Sequence, residues 1–550
     1  MNQIRQKKIK LVFYRTLFSQ SGASLTMGSI ASLLRKNGYK VDLCFLEKRD
    51  LHATEKILKD RERYNIIIAK PNFKDYKELF NILAGLKKYK KINKIFICGP
   101  YASLNAEELI KDYVWIDGVI TGAIEETSLA LVNSLNKDCS NFDTNCPGGI
   151  WRKPSTNQIS SNKIRNATIS LNKLPFPARD IEAQENVKYI NIEASRGCAF
   201  GCSFCHNPIM AKFNNKKGVV DMKNPKLVVD EMEYLHKKLN KTLFIFNDDC
   251  FWRGPMDNDR IEKFCSEIKK RKLNIKFYIY LRCKPFISEK LLKKLSSVGL
   301  ARVFLGLENA SKRSQAVFNK TIEKNIYSQI KKRLEARHIN IHIGYIVFEP
   351  YSTIDDIILN FDYLLKIRKL FRLGVILEPM RVIPSSKLHI KLQSDNLISK
   401  NTKCDKITYG YNFLNTDVGK LLKKLKKIFS ETLNPEAYEY EYYCTTCKLL
   451  ETLLKKEKNK YKKIIRDDFK EFNQMRDISM NLLSEYLKNT ARLTARGDLR
   501  ELNQEDKSFI DKFRTISQSI KIKHADIITK TIEGGGRDIV KEIYIGIDRI

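Results

Sequence analysis

Within EASRGCAFGCSFCHNP, residues 193–208, three cysteines stand at C-x3-C-x2-C spacing: Cys198, Cys202 and Cys205. Three thiolates so spaced can each hold one iron of a four-iron cluster, leaving the fourth iron open as a binding site. A zinc site or a set of buried structural thiols is the competing reading. Zinc sites usually take four ligands, often from paired C-x2-C knuckles. His206 is the nearest candidate for a fourth ligand, and it reads more simply as a loop residue that supports a cluster by hydrogen bonding.

A cluster loop needs a strand end to hold it, and the flanking pattern supplies one. YINIEAS (189–195) is followed by further strand candidates at 242–247, 274–281, 301–307, 340–347 and 373–382. Helical periodicity separates them at 225–239, 257–272, 287–298, 323–337 and 353–368. Six strand–helix units suffice for a partial parallel barrel, whose chemistry belongs at the C-terminal strand ends.

The first 140 residues carry their own alternating series. Strands are expected at 9–14, 40–46, 65–70, 93–98 and 117–121, with amphipathic helices at 27–37 and 74–91. That pattern implies a doubly wound parallel sheet, Rossmann-like in class. Residues 141–186, rich in Asn, Ser, Pro and Gly, read as a linker or wrapping segment. The barrel then spans 187–395, and 396–550 reads as a mostly α-helical region with Lys-rich faces.

The composition limits the function classes. At 550 residues the chain is expected to hold several domains, and no apolar run of about 18 residues could span a bilayer. The basic start, MNQIRQKKIK, lacks a signal-peptide core, so the protein is expected to be cytoplasmic, with no membrane partner. Thirteen scattered cysteines then suit reduced thiols and metal ligation better than disulfides. The net charge of +37 invites an RNA or anionic surface as one explanation and a Lys-rich proteome as the other. Residues 396–550 hold 31 basic against 23 acidic side chains, so the excess is diffuse and nucleic acid is not the expected partner.

The three-cysteine loop on a first barrel strand resembles the radical SAM family over residues 186–395. The resemblance implies a [4Fe-4S] cluster held by Cys198, Cys202 and Cys205, with S-adenosylmethionine (SAM) on the open iron. By position it also places Phe204 near the adenine. Asp248 and Asp249, at the end of the second strand, would receive the SAM ammonium. Arg282 (in LRCKP) and Glu308 (in FLGLENAS) would meet the SAM carboxylate and ribose. Asn309 stands where relatives carry Ser, and Ser385–Ser386 replaces their Gly-Thr turn.

The N-terminal sheet resembles the cobalamin-binding domain that precedes many radical SAM domains. ICGPYASLNAEEL (97–109) and IDGVITGAIEET (116–127) imply a cobalamin loop built from Gly99, Pro100, Tyr101, Ala102, Gly122 and Glu125. Ser24, in the Ser/Gly-rich loop after the first strand, could hold corrin amides or phosphate at a helix N-terminus. No Asp-x-His-x-x-Gly element is present; in relatives that lack it the cobalt face is left to water or to a neighbouring side chain, for which Lys70, just after the third strand, is the candidate.

Together these resemblances imply a cobalamin-dependent radical SAM methyltransferase. It would take electrons from a flavodoxin- or ferredoxin-type reductant and methylate an unactivated carbon of a peptide or small-molecule substrate. The alternatives are a non-methylating radical SAM rearrangement or cyclisation with a vestigial sheet domain, and an RNA-binding protein with a structural cluster. No residue is assigned a catalytic proton-transfer or nucleophilic role. Cys444 and Cys447, with Cys404 upstream, could serve a second metal but read first as free thiols; Cys250, Cys265 and Cys283 read as small buried apolar residues.

Overall fold

A computed structural model describes residues 8–15, 25–47, 57, 64–71, 76–88, 92–137, 146, 148–152, 157–162, 169–184, 189–213, 220–323, 325–368, 373–399, 410–455, 460–498 and 502–540. Ser24 and Cys404 lie outside them. The five expected N-terminal strands form as β1 (Lys8–Arg15), β2 (Lys40–Glu47), β3 (Tyr64–Lys70), β4 (Ile92–Ile97) and β5 (Gly118–Ile120). They pair in parallel in the order β2-β1-β3-β4-β5. Helices Leu25–Lys36 and Ile124–Lys137 cover one face, and Tyr76–Lys88 and Ala106–Asp112 the other, giving two cores around a doubly wound sheet.

The segment read as a linker does more than connect. It supplies β6 (Gly149–Arg152) and β7 (Ile159–Asn162), which extend the sheet in antiparallel fashion. Trp151 is fully buried there, and its ring lies where side chains on Gly118 and Gly149 would stand, with Cβ atoms only 2.3 and 2.2 Å from ring carbons. Short strands flanked by polar turns leave little periodic signal, so these two were not visible from pattern alone.

In the second domain β8 (Ile190–Ile192), β11 (Leu243–Phe246), β12 (Lys276–Arg282), β13 (Leu300–Glu308) and β14 (Asn340–Tyr345) form a parallel sheet in consecutive order. A separate antiparallel pair joins β9 (Ser195–Arg196) to β10 (Asp221–Met222). Helices Pro225–Leu239, Asn258–Lys270, Glu289–Ser297 and Ile326–Glu335 connect the parallel strands, and Ile354–Lys366 follows the last. Local chemistry fixes their starts. The Asn224 side chain accepts from Lys226 N with Pro225 at the first turn, Ser288 accepts from Leu291 N, and Thr353 with Asp356 forms a capping box.

The sixth expected barrel strand, 373–382, is not a strand: Leu373–Ile376 is a helical turn, and the described residues give a five-stranded barrel sheet. Pro379 removes a ladder donor from this stretch, which packs Leu373, Ile376 and Leu377 into the barrel core and donates from Met380 N to Phe348 O at 2.8 Å.

Beyond it the chain is helical as expected, with Thr416–Lys426, Glu436–Leu454, Asp468–Ala495 and Gln504–Glu533 as the main elements. Their apolar faces share one continuous core with the barrel, from Ile190 to Ile527. No helix among the described residues is long and apolar enough to cross a membrane.

Candidate functional site

The chain leaves β8 through Glu193 and Ala194, turns at Gly197 (φ +99°), and enters the three-cysteine loop. A left-handed φ there is cheap only for glycine. Asp248 pins this turn from below: its carboxylate accepts from Ala194 N at 2.8 Å and from the Ser195 hydroxyl at 2.5 Å. It is 1% exposed, and burial pushes its pKa up to about 7. Asp248 is therefore a buried support rather than the solvent-facing acceptor expected from its position. Its neighbour Asp249 does face outward and accepts from Gly197 N at 3.1 Å. Successive residues after a strand end point in opposite directions, which splits the pair.

The rest of the loop is held by residues that sequence did not single out. Ser203 N donates to Phe318 O (3.0 Å), Leu388 N donates to Ser203 O (3.0 Å), and Asn319 Nδ2 donates to Gly201 O (2.9 Å). Phe204 packs edge-on against Phe318 at 5.3 Å between centroids. Asn319 adopts φ +51°, a conformation that Asn tolerates in a tight turn.

Cys202 is nearly buried, while Cys198 and Cys205 are half-buried. Burial raises the Cys198 thiol pKa and pushes that of Cys205 up to about 12. Arg282, the last residue of β12, directs Nη1 at Cys202 Sγ (3.3 Å) with its guanidinium 3.9 Å from the Phe200 ring centroid. Among the described residues no three His, Cys, Asp or Glu side chains converge on one ion. Cluster cysteines each bind a different corner, whereas four zinc ligands meet at a point.

Glu308 ends β13 at φ +64°, where the register against β14 shifts. Its carboxylate meets Lys320 Nζ at 2.6 Å, with both side chains largely buried. Gly306 makes the room, since a Cβ there would stand 2.5 Å from Lys320 Nζ and 2.7 Å from Glu308 Oε1. Lys320 carried no sequence signal. Asn309 turns inward instead, donating to Ile346 O and accepting from Ser311 N, both at 2.7 Å.

The cluster loop and the N-terminal sheet share a cleft of about 240 Å³. Pro100, Gly122 and Glu125 line it from the sheet, and Gly197, His206 and Asp249 from the loop. Arg196 spans the two sides, 3.0 Å from Glu125 and 2.8 Å from Glu193. Gly122 (φ +72°) and Gly99 (φ +97°) present backbone without Cβ atoms beside it; a Cβ on Gly99 would stand 3.0 Å from Lys70 Cγ. Burial lowers the Lys70 pKa.

Tyr101 departs from expectation. It is 1% exposed and stacks in the sheet core, 5.0 Å from the Tyr76 ring and 6.3 Å from Phe80. One residue of helix turns the side chain by about 100°, so Pro100 faces the cleft and Tyr101 cannot. Ala102 is likewise buried in that core. In the helical region Cys444 and Cys447 are fully buried free thiols on one helix, and burial pushes Cys444 up to about 12.

Residues 192–363 match the radical SAM superfamily. The chain carries a radical SAM domain. Proteins of this family use a [4Fe-4S] cluster and SAM. The anaerobic magnesium-protoporphyrin IX monomethyl ester cyclase of Rubrivivax gelatinosus is 26% identical over 341 residues, 58% of this chain and 59% of that one. This chain thus spans under two thirds of that relative's length. Among solved structures, the cobalamin-dependent SAM radical enzyme OxsB with aqua-cobalamin bound superposes with a TM-score of 0.68. That match covers 99% of this chain and 85% of OxsB at 17% identity. The radical SAM methyltransferase TsrM from Kitasatospora setae, with cobalamin and a [4Fe-4S] cluster, gives 0.54 at 14% identity, covering 71% and 75%. At such identities the likeness shows the fold alone.

Proposed function

We propose that this radical SAM enzyme is cobalamin-dependent and transfers a methyl group to an unactivated carbon of a peptide or small-molecule substrate. The observation that carries the reading is the shared cleft, in which Pro100, Gly122 and Glu125 face Gly197 and His206 of the cysteine loop. A cofactor held by the sheet would thereby lie beside the cluster. Cys198, Cys202 and Cys205 are the cluster ligands, and the donor set fits, being three thiols on one anchored loop with Arg282 aimed at the middle sulfur. Asp249, Arg282, Glu308 and Phe204 are the residues for SAM. The cleft wall fits a flat ring because its glycines allow close approach of backbone, and Lys70, at the end of β3, lies against Gly99.

When bound, the cluster and cobalamin would supply reductive SAM cleavage and a transferable methyl group, with electrons from a flavodoxin- or ferredoxin-type donor; the protein orients both and excludes water. Arg282, 3.3 Å from Cys202 Sγ, would hold positive charge beside a bound cluster. Arg196 ties the loop to the sheet through Glu125, fixing the two halves of the cleft.

A non-methylating rearrangement or cyclisation is the second reading, supported by the cyclase among the relatives. The test is anaerobic purification from cobalamin-fed cells, followed by quantification of corrin and of turnover products. About one corrin per chain, with both S-adenosylhomocysteine and 5′-deoxyadenosine formed, supports methyl transfer. Corrin with 5′-deoxyadenosine alone moves the function to the second reading, and absence of corrin removes the cobalamin role.

A further inference from the structure

A second cavity, of about 220 Å³, lies at the other end of the barrel, where the start of β14 meets the C-terminal helices. Asn340, in its wall, pairs with Arg302 at the start of β13, six residues before Glu308. The two sites are thus separated by roughly 20 Å of strand. The wall is cationic. Lys331, Arg368, Lys448, Lys455 and Arg476 line it. Their carboxylate partners are three: Glu335 for Lys331 (4.0 Å), Glu451 for Lys448 and Lys455 (3.4 and 2.7 Å), and Asp477 for Arg368 and for Arg476 (3.3 Å). Among the described residues this leaves two positive charges in excess.

Two buried polar atoms in the wall, the Tyr327 hydroxyl and Arg476 Nε, have no hydrogen-bond partner among the described residues. Tyr327 is 0% exposed with no hydrogen bond to its hydroxyl, and Arg476 is 7% exposed with none from Nε. Leaving a buried donor unpaired is costly, so such atoms ordinarily have a partner. Burial keeps Tyr327 protonated, hence a donor. Burial, opposed by Glu335 and aided by Lys448, Arg368 and Arg476, pulls the Lys331 pKa down. The cavity is rich in donors and poor in acceptors, which suits a compact ligand carrying several acceptor oxygens and two negative charges.

We propose that this cavity binds a phosphate dianion, either free phosphate or the phosphate group of a small ester, through Tyr327, Arg476 and Lys331. The inference stands apart from the radical chemistry, because it uses none of the cluster or cleft residues.

The test is isothermal titration of the full chain with inorganic phosphate and, separately, glycerol 3-phosphate, against chloride at matched ionic strength. Tyr327→Phe and Lys331→Gln are compared with wild type, with circular dichroism confirming the fold. One saturable site weakened about tenfold by each variant is expected, as a lost charge-assisted bond predicts. Tighter binding of the ester assigns the site to phosphorylated metabolites, and equal binding assigns it to free phosphate. No saturable binding beyond chloride, or equal affinity in wild type and both variants, overturns the proposal.

Discussion

Arg282 Nη1 stands 3.3 Å from the sulfur of Cys202, the central cysteine of the loop. A cationic donor at a ligating sulfur favours the reduced, more negative cluster. Replacing Arg282 with Gln removes the charge. A loss of about 1.5 kcal/mol corresponds to a potential more negative by roughly 60 mV for one electron. Redox titration of the reconstituted protein is the check. An unchanged potential with an intact cluster would show that Arg282 acts elsewhere.

Glu308 and Lys320 form a largely buried pair at the C-terminal edge of the barrel. Lys320→Met leaves a buried carboxylate alone and is expected to destabilise the fold by about 3 kcal/mol. Adding Glu308→Gln should recover most of that stability while leaving SAM affinity low, because the proposed ribose contact stays absent. Denaturant unfolding and SAM titration separate the two effects. Full SAM affinity in the double variant would remove Glu308 from the site.

The Arg196–Glu125 pair bridges the sheet and the cysteine loop at 3.0 Å. Glu125→Gln is expected to lower corrin affinity about fivefold, as for about 1 kcal/mol lost, with iron content unchanged. Equal corrin retention at limiting cobalamin would count against a cofactor role for this junction.

His524, packed 4.8 Å from the Tyr443 ring, is 6% exposed, and burial pulls its pKa down to about 4. The unfolded chain binds this proton near pH 6.5 and the folded chain only near pH 4, so the unfolded state holds more protons between them. The stabilisation from a neutral His524 is complete above pH 6.5 and lost as pH falls toward 4, by roughly 3 kcal/mol. His524→Phe should lose less stability than wild type between pH 7 and 5. Parallel pH profiles would mean that His524 is already hydrated or displaced.

Local sequence determined the elements and the reactive loop. Apolar spacing placed the helix at 225–239, because Pro225 and Asn224 begin it and Asn240 in the left-handed conformation ends it within the segment itself. The three cysteines were legible for the same reason, since their spacing is set along one short stretch of chain. The site residues whose places were misjudged depended on elements distant in sequence.

Asp248 and Asp249 are adjacent in the chain, yet only the approach of Ala194 and Ser195 made one a buried pin and left the other facing the cleft. Tyr101 fell into the sheet core because Tyr76 and Phe80 from another helix were there to receive its ring. Lys320 gained its role from a carboxylate twelve residues back, across a strand end and a short helix. Tertiary structure alone decided these points, because burial, pairing and direction belong to the space between elements, whereas periodicity reports only on the element that carries it.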